Sequence, residues 1–323
     1  MTQRLAGLAT RHAGPLLGAG VFALALVAVR ALLREVDIDQ IGAAIARIPA
    51  TMLWAATLSV AGSYAFLIGY DASALRYVGR RVPAAVMAVG SFSAYALGNT
   101  AGVAVLSGGA VRHRFYRRFG LSLREITIVS TFCAVAFGVS VSLVGLAALI
   151  GYPQTLSRLV AAPESLVRWA GGAALLVCIG SLAVASYRAM PIGIGRFRLR
   201  LPTPSVLVAQ VVFSLGELTL AALALYLLVP GGAGMAFLHF VSLFAAASLA
   251  AALSHVPGGI GVFDGLLIAG LNANGEAMPD AVAAVLAFRA LYYLGPFLMS
   301  LALLCSVGPW LTRLERRGER SGG

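Results

Sequence analysis

"SHVPGGIGVFDG", residues 254–265, sets a histidine, a proline, four glycines and a carboxylate into twelve positions of a chain that is 60% hydrophobic and only 11% charged. A proline followed by two glycines interrupts helical hydrogen bonding. Backbone freed in this way is tolerated at membrane depth only where it is buried in protein or lines a wet cavity. The stretch therefore reads as a break between two helix arms inside a membrane.

The flanks support a membrane setting. Apolar runs such as 14–33, 50–70 and 283–307 approach the twenty residues that a helix needs to cross a hydrocarbon core of ~30 Å. Such runs occupy nearly all of the 323 residues, which leaves no room for a soluble catalytic domain. The first run follows Arg4 and Arg11 but precedes no small-residue cleavage site, so it reads as an uncleaved first helix. Cys133, Cys178 and Cys305 lie in apolar runs without metal-ligand spacing and read as small packing residues. No cofactor or metal is expected. A net charge of +12 would suit nucleic acid, but the arginines sit in short connections with no basic domain or aromatic platform, so nucleic acid is not an expected partner.

Eight apolar segments fall into two sets of four, related by a shift of 156 residues without a gap. The pairs are 14–33 with 170–189, 50–70 with 206–226, 83–107 with 239–263, and 125–151 with 281–307. The reading is a duplicated transporter-like architecture. It has a first membrane repeat over 1–160 and a second over 161–323 that ends in a short basic cytoplasmic tail.

The third segment of each set is a helix, a breaker and a second helix: "AYALGNTAGVAVLSGGA" in the first half, "AALSHVPGGIGVFDG" in the second. Thr100 is expected to cap the arm that follows it, and Pro257 to open a helical turn. If each segment is a re-entrant hairpin, at about 83–110 and 239–272, each half makes three full crossings and the second half is inverted. Basic residues favour the cytoplasmic side of short loops. Under this topology 18 of the 24 arginines share one side with both termini, five lie opposite with six of the twelve acids, and Arg289 is left within the membrane. The expected fold is an all-α integral membrane protein, an inverted-topology repeat with six full spans and two re-entrant hairpins. The tips would meet near the midplane, where the helix N-termini of Asn99, Pro257, Gly258 and Gly259 favour an anion such as phosphate. The bland alternative is that the glycines only allow close helix packing.

A charge at the bilayer centre costs roughly 2.5–3.5 kcal/mol on insertion scales, which makes intramembrane charges functional candidates. Glu217 and Arg289 qualify, and the alternative is that they form a structural ion pair. Asp71 is either a site residue or an interfacial residue at a helix end. Asp264, after the second break, would contact a cationic headgroup or face the outer surface. In "GGAVRHRFYRRFGLSLRE" arginines alternate with aromatic residues, as in an amphipathic helix on an anionic leaflet. Arg112, just beyond Gly108 and Gly109, would reach a phosphate admitted by the hairpin. His255 at the tip has either a site role or a structural one. No nucleophile constellation or nucleotide-binding motif is present.

Three stretches, "SYAFLIGYDASALRYVGR", "GNTAGVAVLSGGAVRHRFYRRFGLSLREI" and "SHVPGGIGVFDG", resemble the membrane region of the lysylphosphatidylglycerol synthetase/flippase family, the multiple peptide resistance factor, with similarity from about residue 37 to 304. The resemblance implies a bacterial inner-membrane flippase that moves an aminoacylated phospholipid, typically lysyl-phosphatidylglycerol, to the outer leaflet and protects against cationic peptides. It also implies that Asp71, Glu217 and Arg289 serve the lipid path. Asp264 departs from the family pattern, which commonly has Glu there. The bifunctional members continue into a soluble aminoacyl-transferase domain, whereas this chain stops at "RLERRGERSGG", so translocation without enzymatic transfer is expected. Expected partners are the phospholipid substrate, anionic membrane lipids, a separate lipid synthase and a second copy of the chain. Two alternatives remain open: a membrane scaffold that recruits a separate synthase or glycosyltransferase, and a transporter of a polyprenyl-phosphate or hopanoid-type lipid.

Overall fold

The computed structural model describes residues 38–306 except 102–103, 154–156, 158–161, 189–190, 195–196, 201, 231–232 and 255. The expected first span at 14–33, the basic tail and His255 therefore lie outside the described residues. The elements are α1 (Ile38–Ala46), α2 (Ala50–Tyr77), α3 (Ala84–Ala101), α4 (Ala104–Tyr116), α5 (Leu123–Gly151), α6 (Glu164–Tyr187), a ribbon of β1 (Pro191–Ile194) and β2 (Phe197–Arg200), α7 (Pro204–Leu228), α8 (Phe237–Ser254), α9 (Val262–Ala273) and α10 (Met278–Phe288), which runs on to Ser306. Six of the described helices are long and apolar enough to cross a membrane: α2, α5, α6, α7, α8 and α10 with its continuation. Their outward faces carry bare apolar side chains, among them Trp54, Leu58 and Trp169, as lipid contact requires. The chain is a multi-pass helical membrane protein. The antiparallel β1–β2 ribbon between α6 and α7 is an addition that the apolar pattern did not announce.

Local chemistry marks the helix ends. α2 stops in a Schellman motif: Gly79 has φ +69°, its N–H donates to the Arg76 carbonyl, and Arg80 N–H donates to the Leu75 carbonyl. α5 begins with a capping box in which the Ser122 hydroxyl accepts from Glu125 N–H and the Glu125 carboxylate accepts from Ser122 N–H. The same Glu125 accepts from Arg80 Nε at 2.6 Å, which joins the chain entering α3 to the chain leaving α4.

α2 and α7 form the centre and run antiparallel. Gly62 faces Leu220, Phe66 faces Gly216 and Gly69 faces Phe213, so contacts advance along one helix as they retreat along the other. A Cβ at any of these glycines would stand 2.6–2.8 Å from the facing side chain. The absent side chain is therefore what lets the helices approach.

Around this pair lie two helix–break–helix units. In the first, Gly90 meets Phe115 and Tyr116 while Gly108 meets Ala94, so α4 folds back along α3. In the second, Leu243 meets Gly270, Phe244 meets Phe263 and Ala251 meets Gly259, so α9 folds back along α8. Gly234, before α8, abuts Asn274 and Glu276, beyond α9. Each unit is thus a pair of helices packed back along each other.

The breaks differ from expectation in detail. Residues Pro257–Gly259 make a 3-10 turn with Gly258 at φ +62° and Gly259 at φ +61°, and the α-helix begins only at Val262 after Gly261 at φ +83°. Pro257 is therefore not the first turn of the second arm, because two successive left-handed residues cannot belong to an α-helix. Thr100 is no cap either: it belongs to α3 and its hydroxyl donates to the Ala96 carbonyl at 2.9 Å.

Candidate functional site

A cavity of about 630 Å³ opens between the last turn of α3 and the second break, lined by Tyr95, Gly98 and Asn99 of α3, Arg112 of α4, Cys133 and Phe137 of α5, Glu217 of α7, Ser248 of α8, Gly258, Gly259, and Tyr292 and Tyr293. The second break touches the end of α3: a Cβ at Gly258 would lie 3.4 Å from the Thr100 carbonyl oxygen and 3.6 Å from that of Asn99. Among the described residues, no cluster of His, Cys, Asp and Glu is arranged to hold a metal ion.

One arginine lines the cavity and a second lies just behind its wall, each closed onto a carboxylate. Arg112 binds Asp71 in bidentate fashion, Nε to Oδ2 at 2.9 Å and Nη2 to Oδ1 at 2.7 Å. The Tyr116 hydroxyl donates to Asp71 Oδ2 at 2.6 Å and that of Tyr95 to Oδ1 at 3.3 Å, while Cys133 Sγ lies 3.7 Å from Oδ1. Both charged side chains are out of solvent, at 4% and 0% exposure. The expectation of an interfacial Asp71 is thus corrected, because α2 runs on past it to Tyr77 and α4 covers it. The reading of "RHRFYRRF" as a surface helix is corrected as well: Phe115 and Tyr116 are fully buried, and only Arg114, Arg117 and Arg118 are exposed.

Arg289 occupies the second pair. Its Nε donates to Asp264 Oδ1 at 2.8 Å and its Nη1 to the Gly258 carbonyl at 2.5 Å, so it grips both sides of the second break. Its guanidinium lies 4.3 Å from the Tyr293 ring centroid and 5.4 Å from that of Phe263. A π-helical turn over Arg289–Leu294 widens α10 here and brings Arg289, Tyr292 and Tyr293 to the site side, a place where such turns recur. The other Asp264 oxygen accepts from Gly261 N–H at 2.9 Å. The N-terminal donor of α9, expected to hold an anionic ligand, is therefore already used by the protein's own carboxylate.

Glu217 stands apart from both pairs. Arg289 is not its partner; Glu217 Oε1 accepts from the Tyr292 hydroxyl at 2.7 Å, and Oε2 is buried with no hydrogen-bond partner among the described residues. Arg289 Nη2 is likewise buried and unpartnered. The structure thus brings Asn99, Arg112, Glu217, Gly258 and Gly259 to the cavity and places Asp71, Asp264 and Arg289 directly behind its wall. Tyr95, Tyr116, Tyr292 and Cys133 were not anticipated. Cys133 had a signal, since it is the repeat counterpart of Arg289, and Tyr292 lies one turn beyond Arg289 in "FRALYY".

A helical membrane body with broken helices, paired charges and a mostly apolar cavity that carries a few polar groups defines a multi-pass membrane protein with a buried polar site. The chain belongs to the lysylphosphatidylglycerol synthase TM region family, which matches residues 16–300. Among its relatives, the protein slr0712 of Synechocystis sp. is 29% identical over 306 residues, 95% of this chain and 94% of its own length. Inner membrane protein YbhN of Escherichia coli is 28% identical over 281 residues, 84% of each chain. Phosphatidylglycerol lysyltransferase of Staphylococcus epidermidis is 33% identical over 69 residues, which are 21% of this chain but 8% of that enzyme.

Proposed function

We propose that this chain is a lipid flippase of the bacterial inner membrane that moves an aminoacylated phospholipid, such as lysyl-phosphatidylglycerol, between leaflets, acting as a translocase rather than as an aminoacyl transferase. The observation that carries this reading is the cavity itself: Glu217 lines it and keeps one buried acceptor, Oε2, and Arg289 just behind its wall keeps one buried donor, Nη2, both without a hydrogen-bond partner among the described residues. A headgroup that carries both charges supplies the complement, an ammonium for Glu217 and a phosphate for Arg289. Buried polar atoms without partners cost about 1–3 kcal/mol each, so a ligand that satisfies both is held by the relief of that cost.

In the same reading the two broken units are re-entrant hairpins of an inverted repeat. Three features support it. The central helices α2 and α7, equivalent under the 156-residue shift, run antiparallel. Each unit returns to the end from which it started, as Arg80–Glu125 and Gly234–Glu276 attest. The exposed arginines Arg81, Arg114, Arg117, Arg118 and Arg188 gather at the end shared by the close of α2, the start of α5 and the start of α7. By the positive-inside rule that end is cytoplasmic. The name of the Escherichia coli relative supports the inner membrane.

The test is reconstitution into vesicles containing acyl-chain-labelled lysyl-phosphatidylglycerol. Wild-type protein should accelerate leaflet exchange, and Arg289→Ala should abolish it while helix content by circular dichroism is unchanged. Undiminished exchange in a folded Arg289→Ala protein removes the assigned role.

A further inference from the structure

Glu217 is the one carboxylate on the cavity that no cation matches among the described residues, since Arg112 is closed onto Asp71 and Arg289 onto Asp264. It is 6% exposed. The groups that face it are Tyr64 and Tyr70 from α2, Tyr292 and Tyr293 from α10, and across the cavity Cys133 of α5 and the Arg112–Asp71 pair, while α8 presents Phe244 and Ser248. A carboxylate in such surroundings is stable when protonated or when a cation sits against it.

A buried polar cluster lies one turn from it on α7. Ser214 and Gln210 precede Glu217 by three and seven residues on one face of α7, and both are 1% exposed. The Ser214 hydroxyl donates to the Gln210 backbone carbonyl at 2.6 Å and accepts from Ser140 of α5, while Ser73 of α2 donates to Gln210 Oε1. Gln210 Nε2, also buried, is without a hydrogen-bond partner among the described residues. Seven helical residues span about 10 Å, so the cluster extends from the cavity toward the arginine-rich end of the bundle.

We propose that Glu217 exchanges a proton for the ammonium group of the cargo, with the proton travelling along the Ser214–Gln210–Ser73 cluster, so that lipid movement is coupled to a proton gradient. On loading, the carboxyl O–H bond breaks, the proton passes to water at the arginine-rich end, and the carboxylate pairs with the ammonium. Unloading at the opposite leaflet takes a proton from water on that side, which re-forms the carboxyl O–H bond as the ammonium leaves, so one proton crosses for each lipid and no electrons are transferred. The coupling to lipid rests on the flippase reading, whereas the proton exchange at Glu217 does not.

The experiment uses vesicles of phosphatidylethanolamine and phosphatidylglycerol holding the full chain and acyl-chain-labelled lysyl-phosphatidylglycerol, with and without a pH difference of one unit. One proton per lipid should shift the leaflet ratio by up to about tenfold. Glu217→Gln should abolish the gradient response. Gln210→Leu combined with Ser214→Ala should slow it while gradient-free exchange continues. Wild-type exchange that proceeds but ignores the gradient overturns the coupling and leaves the flippase reading standing. If wild-type protein moves no label, infrared difference spectra decide on the proton alone. A protonated-carboxyl band that dodecylammonium removes, and that Glu217→Gln lacks, upholds the exchange; a spectrum without that band overturns it.

Discussion

Removing the Asp71 carboxylate is the sharpest perturbation of this architecture. Asp71→Ala deletes the acceptor of two Arg112 hydrogen bonds and of the Tyr116 and Tyr95 hydroxyls, at a place where Asp71 has no exposure and Arg112 has 4%. Breaking a buried pair from one side leaves the other charge uncompensated and costs about 3–5 kcal/mol, at least two powers of ten in the folding equilibrium. Arg112→Leu alone should cost a similar amount for the mirror reason. The double variant Asp71→Ala/Arg112→Leu removes both charges and should recover most of the loss, because a well-packed apolar pair replaces a buried ion pair nearly neutrally. Reversible unfolding in mixed micelles, run as a double-mutant cycle, reads the coupling directly. The double variant should nevertheless fail to move lipid, since Arg112 lines the cavity. Single substitutions that cost less than about 1 kcal/mol, or a double variant no better than either single one, would refute the claim that this pair holds α4 against α2.

Three further outcomes follow. Asp264→Asn, at a pair with 15–17% exposure, should destabilise less than Asp71→Ala in the same micelle assay, because water reaches and screens the charge left on Arg289. Gly259→Ala forces a left-handed φ and puts a Cβ 2.7 Å from that of Ala251, whereas Gly258→Ala has its nearest neighbour at 3.4 Å; the first should cost about 1–3 kcal/mol and the second less, read by the same unfolding curves. In a background lacking the native cysteines, Arg81→Cys and Arg117→Cys should be labelled by an impermeant maleimide from one side of sealed vesicles and Ala277→Cys from the other; labelling of the first two from opposite sides would contradict a re-entrant first unit.

Much of the fold was legible because lipid imposes a simple rule on sequence. Runs near twenty apolar residues reappear as α2, α5, α6, α7 and α10, and "PGGIG" marks where the second unit breaks. The site was legible as a set of residues but not as a set of partners. Burial expels charge from either side chain alone, so periodicity could single out Asp71, Arg112, Glu217 and Arg289. Pairing depends on which helices turn toward each other, and that is decided by the Gly62, Gly69 and Gly216 contacts and by how α4 folds back on α3. Glu217 with Arg289 looked plausible in one dimension. In three, Asp264 reaches Arg289 first, because the left-handed turn over Pro257–Gly259 delays the start of α9 and brings Asp264 to its N-cap. The offset of helix start is a backbone property of two glycines, which composition cannot report.

The two ion pairs solve one mechanical problem with opposite polarity. The first broken unit carries the cation, Arg112, and the span before it the anion, Asp71; the second unit carries the anion, Asp264, and the span after it the cation, Arg289. Each pair ties a returning arm to a crossing helix, which holds an interrupted backbone in place where no continuous hydrogen-bond ladder does so. Because each tether is neutral, neither arginine offers the cavity a full uncompensated charge; what remains is the fork of Arg289 left over after Asp264 and Gly258 are bound, and the oxygen of Glu217 left over after Tyr292. On the flippase reading, a site made of such residual valences would meet a headgroup that carries both an ammonium and a phosphate, with neither arginine free to trap the phosphate outright.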